Sequence, residues 1–146
     1  MNRLDEQKQL RENMRLLERK LGVLNDNEMS CCSITLAQCH AIVEIGRAGS
    51  ISLGDLANLL NLDNSTMSRT VNNLVNSEYA KRELDREDRR FVTITLTVKG
   101  KELFNSIESG MEEKYLSIYN SIPEDKRTQV LEVLQLLNEV FKNGCC

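Results

Sequence analysis

The sequence predicts a mainly α-helical chain carrying one small β-hairpin. Apolar residues recur at helical spacing through most of the 146 residues. The period switches to two at Val92-Thr93-Ile94-Thr95-Leu96, a half-buried strand rich in β-branched residues. One proline and seven glycines leave few breaks, which favours helices and short loops over a β-sandwich.

The elements follow in order. Leu10, Met14, Leu17, Leu21 and Leu24 form one apolar seam along a first helix. So narrow a seam suits a partner helix, or equally the helix's own core. Asn25-Asp26-Asn27 predicts a break after it. Thr35 followed by Gln38 reads as a capping box opening a second helix, with Leu36, Cys39, Ile42 and Val43 inward and Gly46 to Ser50 closing it. Ser52 caps a short third helix whose inner face is Leu53, Leu56, Ala57 and Leu60, with Asp55 at its third position.

Asn61-Leu62-Asp63 is a tight turn, after which Asp63 or Asn64 caps a fourth helix running to about Ser77. Met67, Val71, Leu74 and Val75 face inward there, leaving Ser65, Thr66, Ser68, Arg69, Asn72, Asn73 and Asn76 outside. A strand at Ala80 to Leu84 precedes the strand at Val92, and the charged run Asp85 to Arg90 forms the tip between them. Thr97 opens a long helix containing Leu103, Phe104, Ile107, Met111, Leu116 and Ile118. Ile122-Pro123 breaks it, with Pro123 in the first turn of a last helix that carries Val130, Leu131, Leu134, Leu137 and Phe141 on one face. Asn143-Gly144 stops that helix.

Two short helices joined by a tight turn and followed by a hairpin make a winged helix-turn-helix. Residues 31–104 are assigned to it, and residues 1–30 and 105–146 to a helical dimerisation region. The fourth helix is the candidate reader of the major groove. Its serines and threonines can bond phosphates or base edges, Arg69 can reach guanine, and Asn72 or Asn73 can reach adenine. No acidic residue lies between Asn64 and Ser77. From Lys81 to Lys101, seven basic residues face four acidic ones, a local balance of +3 in a chain whose total is −3. Counterion release is local, so the acidic total does not exclude DNA. Arg86, Arg89 and Arg90 on the hairpin are placed to enter the minor groove.

Other classes fit poorly. One histidine, no glycine-rich phosphate loop and no nucleophile elbow leave an enzyme without machinery. Cys39 and His40, adjacent on a helix, point about 100° apart and make a poor dyad. No apolar run is long enough to cross a bilayer, and the polar start Met1-Asn2-Arg3-Leu4-Asp5 does not read as a signal peptide. The expected location is cytoplasmic, with no membrane partner. A protein-interaction adaptor on the same fold remains the rival reading.

Leu56-Ala57, Ser65-Thr66-Met67-Ser68-Arg69, Val71-Asn72-Asn73-Leu74, Asp85-Arg86-Glu87-Asp88-Arg89-Arg90 and Ile94-Thr95-Leu96-Thr97-Val98-Lys99-Gly100 resemble the MarR family of bacterial regulators. The Asp-Arg-Arg of the hairpin, followed by a strand and Leu-Thr-x-x-Gly, is the most specific part. The resemblance implies a homodimer with interlocked terminal helices and two winged lobes on a pseudo-palindromic operator in double-stranded DNA, acting as a repressor. It implies that Asp88 braces the wing through an arginine and that Arg89 or Arg90 touches DNA. It also implies that ligands or thiol chemistry reset the spacing of the lobes. The family's phenolic-ligand residues have no clear match here.

Five cysteines include two adjacent pairs, Cys31-Cys32 and Cys145-Cys146. Their spacing fits no zinc finger. They can be unreactive small residues, a redox switch, or soft ligands for a thiophilic metal or metalloid such as arsenite. The third reading is favoured, since two pairs supply three or four thiolates; no cofactor is obligatory. Cys39 fits a buried core residue, and His40 ranks last as a ligand.

Overall fold

The computed structural model describes residues 2–29 and 34–142, with the backbone alone at 26–29. Among the described residues, six α-helices and three strands run in the order α1 (Arg3–Met29), α2 (Leu36–Ala48), β1 (Ile51–Ser52), α3 (Leu53–Leu60), α4 (Asn64–Asn76), β2 (Ala80–Leu84), β3 (Val92–Leu96), α5 (Val98–Ser121) and α6 (Arg127–Lys142). The chain divides into two compact units between Glu108 and Ser109.

The first unit owes its form to local signals that agree with one another. Thr35 and Gln38 make the reciprocal capping box at the start of α2, and Gly49 ends that helix at φ 77°, a value that favours glycine. Ile42 and Ile45 of α2, Leu56 of α3, Met67, Val71 and Leu74 of α4 and Ile94 of β3 are the largest fully buried side chains. Together with Ala41, Ile51, Ala57, Ala80 and Leu96 they form one core. Burial of an aliphatic side chain contributes about 1.5–3 kcal/mol, so this cluster is what fixes the unit.

The sheet is antiparallel in the order β1-β3-β2. Its register pairs Ile51 with Ile94, Ala80 with Leu96, and Leu84 with Val92. The two-residue strand β1 was not foreseen, since two residues carry no periodicity. Val92, expected half-buried, is exposed, because it pairs with exposed Leu84 at the end of the hairpin farthest from the core.

Two further expectations are corrected. The helix α1 continues through Asn25-Asp26-Asn27 to Met29. The propensity cost of Asn and Asp is only some tenths of a kcal/mol each (~0.7 at most), too small to break a cooperative helix. Leu36 is exposed rather than inside, while Ala41 and Ile45 are buried. The inward stripe of α2 is centred on Ile42, and six residues at 3.6 per turn place Leu36 about 120° away.

The second unit comprises the end of α5, a single 3-10 turn at Glu124–Lys126, and α6. Pro123 precedes that turn, so it lies outside α6 rather than in its first turn. Arg127 ties the corner. Its Nε donates to the carbonyls of Tyr119 at 3.2 Å and Ile122 at 3.1 Å, and its guanidinium lies 4.8 Å from the Tyr119 ring. A cation on the last carbonyls of a helix satisfies groups that have no partner within it. The expected helix stop at Asn143-Gly144 lies outside the described residues. Among the described residues, no helix is long and apolar enough to cross a membrane.

Candidate nucleic-acid interface

The turn between α3 and α4 is built from two caps and one left-handed residue. Ser52 Oγ accepts from the Asp55 backbone N–H at 3.1 Å and opens α3. Asn61 adopts the left-handed conformation at φ 52° and closes it, with the Leu62 N–H donating back to the Ala57 carbonyl at 3.0 Å. Asp63 then caps α4. Its carboxylate accepts from the Thr66 N–H at 3.1 Å and from the Thr66 hydroxyl at 2.5 Å. The Thr66 hydroxyl and then its backbone N–H hold the Asp63 carboxyl below the usual carboxylate range.

On α4, Met67, Thr70, Val71 and Leu74 are buried, and the Thr70 hydroxyl donates to the Thr66 carbonyl at 3.1 Å. The helix presents Ser65, Arg69, Asn72, Asn73 and Asn76 outward, while Thr66 and Ser68 are half-buried. The outward stripe is therefore polar and cationic, with no carboxylate.

The C-terminal end of α4 is locked to the start of α5. Glu78 turns the chain at φ 65°. The Thr97 N–H donates to the Tyr79 carbonyl at 3.0 Å, and the Thr97 hydroxyl donates to the Glu78 carbonyl while accepting from the Gly100 N–H at 3.0 Å. Lys99 Nζ donates to the Ser77 carbonyl at 3.0 Å and lies 4.5 Å from the centre of the Tyr79 ring. The Leu-Thr-x-x-Gly signature is thus a clasp that sets α4 against the start of α5.

The wing has its own brace. The Asp85 carboxylate accepts from the Glu87 N–H at 2.8 Å, and the Asp85 N–H donates to the Phe91 carbonyl at 2.9 Å. Asp88 accepts from the Arg90 backbone N–H at 3.1 Å and from Nη2 of its guanidinium at 2.8 Å. The Arg90 guanidinium first, and its N–H second, hold the Asp88 carboxyl low; in return Asp88 raises Arg90. On β2, Lys81 and Glu83 pair with each other at 2.9 Å, which holds the Glu83 carboxyl low. Among the described residues, Arg86 and Arg89 make no ion pair.

The candidate DNA contacts therefore separate by what already engages them. Ser65, Arg69, Asn73, Arg86 and Arg89 are exposed, and among the described residues their side chains make no hydrogen bond or ion pair. The Thr66 hydroxyl serves the Asp63 cap, Arg90 serves Asp88, and Asn72 Oδ1 accepts from the guanidinium of Arg82. Arg82 had entered the reading only as part of the local charge. The signal that would have placed it is strand alternation, which puts it on the same side of β2 as buried Ala80, beside α4.

Cys31, Cys32, Cys145 and Cys146 lie outside the described residues. Cys39 is buried, and exposed His40 borders a shallow apolar groove with Leu36, Ala37, Leu60 and Leu62. Among the described residues, no group of three His, Cys, Asp or Glu side chains is placed to hold a metal ion.

Comparison with known proteins agrees with this geometry. A sequence model of the MarR family matches residues 34–92. The chain is 25% identical over 120 residues to the HTH-type transcriptional regulator BilQ of Clostridium symbiosum, covering 82% of this chain and 83% of that one. Its fold matches Streptococcus pneumoniae FabT in complex with DNA, at a TM-score of 0.79 and 22% identity over 92% of this chain and 97% of that one. It likewise matches a mutant MarR of E. coli complexed with operator DNA, at 0.78 and 20% identity over 94% and 99% of the two chains. With the capped α4, the Asp-braced wing and the threonine-glycine clasp all in place, the chain has a winged helix-turn-helix fold, and its residues 34–92 match the MarR family model.

Proposed function

We propose that the protein is a homodimeric, DNA-binding transcriptional repressor that reads a pseudo-palindromic operator with α4 in the major groove and the wing in the minor groove. The observation that carries this is the carboxylate-free outward stripe of α4, with Arg69 at its centre, beside a wing on which Arg86 and Arg89 make no ion pair among the described residues. A helix of this length serving only the core has no need of such a surface. The names of its relatives, a transcriptional regulator and two proteins bound to DNA, support the reading.

Pairing with a second copy is supported by apolar side chains left in solvent on the terminal helices. Leu10 and Leu17 of α1, and Leu131, Leu134 and Phe141 of α6, are all exposed. Exposed apolar surface repeated at helical spacing on terminal elements is what an obligate dimer covers.

For the effector, the reading rests on the sequence. The pairs Cys31-Cys32 and Cys145-Cys146 supply soft ligands to a thiophilic metal or metalloid such as arsenite, whose capture shifts the protein toward a state that releases DNA. The DNA reading is tested by binding to random-sequence duplex as salt is varied. A repressor binds at low salt and loses affinity steeply as salt rises, whereas an adaptor on the same fold shows no affinity at any salt.

A further inference from the structure

Between α4 and the wing strand β2, a side-chain contact joins Asn72, on the outward stripe of α4, to Arg82, which the proposed function leaves without a role. The guanidinium of Arg82 on β2 donates to Oδ1 of Asn72 on α4. Both side chains are exposed, so the contact is not forced by burial. It follows from the fold. Lys81 and Glu83 point to one side of β2 and pair with each other. Arg82 points to the other, opposite buried Ile94 and two residues from buried Ala80, where α4 runs past. Among the described residues Arg82 has no carboxylate partner, and the amide oxygen of Asn72 receives it.

A guanidinium has only donors, so the end of the Asn72 amide that meets it must be the oxygen. The end that remains is the NH₂ group. A lone asparagine reads adenine because it offers a donor to N7 and an acceptor to the N6 amino group. Here the acceptor already faces a positive charge, which opposes the approach of a base amino group. Asn72 and Arg82 together present donors only. Guanine, with acceptors at both N7 and O6, is the base that matches two donors.

We propose that Arg82 is a specificity-determining residue, which turns Asn72 from an adenine reader into half of a donor pair that selects guanine. Asn73, which has no such partner among the described residues, keeps both amide groups for adenine. The inference rests on the proposed DNA reading and adds to it which base one position selects.

The test is selection from a random-sequence duplex library by the full-length protein and by the variants Asn72→Ala, Arg82→Ala and Arg82→Lys, each checked for unchanged thermal melting. The position at which Asn72→Ala erases preference is expected to be guanine for the unsubstituted protein. Arg82→Ala is expected to shift that position alone toward adenine, by about tenfold in relative affinity. Arg82→Lys, charged and donor-only, is expected to keep guanine. Adenine at that position in the unsubstituted protein overturns the proposal. So does an unchanged preference in Arg82→Ala, or adenine selected by Arg82→Lys. A uniform loss across all sequences in Arg82→Ala, with the salt slope reduced by about one, makes Arg82 a phosphate contact and also overturns it. A protein that binds no duplex even at low salt overturns the DNA reading itself, and that is distinguishable before any variant is made.

Discussion

Gly100 lies so close to Tyr79 that a Cβ built on it would sit 1.9 Å from the Tyr79 carbonyl oxygen. That oxygen already accepts the Thr97 N–H, and the Gly100 N–H is held by the Thr97 hydroxyl, so neither side of the contact can yield without opening the clasp. Gly100→Ala is expected to cost about 3 kcal/mol, the upper end for overpacking, and to lower the melting temperature by about 10 °C. Gly46 is the control. Its Cβ would meet the Phe104 ring at 2.5 Å, which is a side chain that can turn aside, so Gly46→Ala should cost less. Equal losses in the two variants, measured by thermal melting, would show that the clasp is not the rigid element.

The wing arginines should separate by mechanism. Arg89 has no ion-pair partner among the described residues, and Arg89→Ala is expected to weaken DNA binding about equally for all sequences and to lower the salt slope by about one. Arg90 is held by Asp88, so Asp88→Ala should release it and loosen the tip. Changing Arg89 and Arg90 together to Ala should weaken binding without unfolding, since both side chains are exposed. An affinity unchanged by the double substitution, in a titration at fixed salt, would mean the wing does not touch DNA.

The pH dependence follows from carboxyls held low. Asp63, held by Thr66, and Asp88, held by Arg90, both titrate below their ordinary value in the folded chain. A depressed folded value means the stabilisation is fully present above the unfolded value of about 3.9 and is lost as pH falls through the lower folded one. Asp63→Asn removes the titration but keeps a capping oxygen. The unsubstituted protein should melt higher than Asp63→Asn at pH 7, and the gap should close as pH falls below about 4. A gap that stays constant down to pH 2 would show that the carboxylate charge contributes nothing to the cap.

Much of this was legible because local chemistry and tertiary packing agree. The Thr35–Gln38 box, the Ser52 and Asp63 caps and the strand at Val92–Leu96 each form as read from the residues alone, although Val92 at the strand's start is exposed. What escaped depends on distance along the chain. The strand β1 exists only because Ile51 and Ser52 find Ile94 and Thr93 across the sheet. The engagement of Asn72 by Arg82 joins residues ten apart on different elements, and no spacing rule announces it. The inward stripe of α2 was misplaced at Leu36, since at a helix's first turn an apolar residue can serve a surface as well as a core.

The terminal helices give a prediction about assembly. Leu134 of α6 is 43% exposed and Leu17 of α1 is 48% exposed, each within an apolar stripe. Leu134→Glu is expected to leave each protomer folded, because the side chain is not in the buried core, and to convert the dimer to a monomer in sedimentation velocity. Two linked lobes bind two half-sites far better than one, so the monomer should lose about a hundredfold in affinity for a palindromic duplex. A variant that stays dimeric with full affinity would move the interface elsewhere.

The cysteine pairs set the last prediction. A trivalent metalloid takes three thiolates, so a site that draws on one pair from one protomer is incomplete, and the proposed release of DNA by arsenite is expected to need both Cys31-Cys32 and Cys145-Cys146. Replacing either pair with Ser should abolish arsenite-driven release while leaving DNA affinity unchanged in its absence. Cys39→Ser is the contrast. Cys39 is buried, so its replacement should lower stability without changing the response. Titration of free thiols during arsenite addition should show three thiols lost for each arsenite bound. Release by peroxide alone, reversed by a reductant, would instead make the pairs a redox switch, in which thiols are oxidised to a disulfide. Release by arsenite that survives loss of all four residues would remove the metalloid reading altogether.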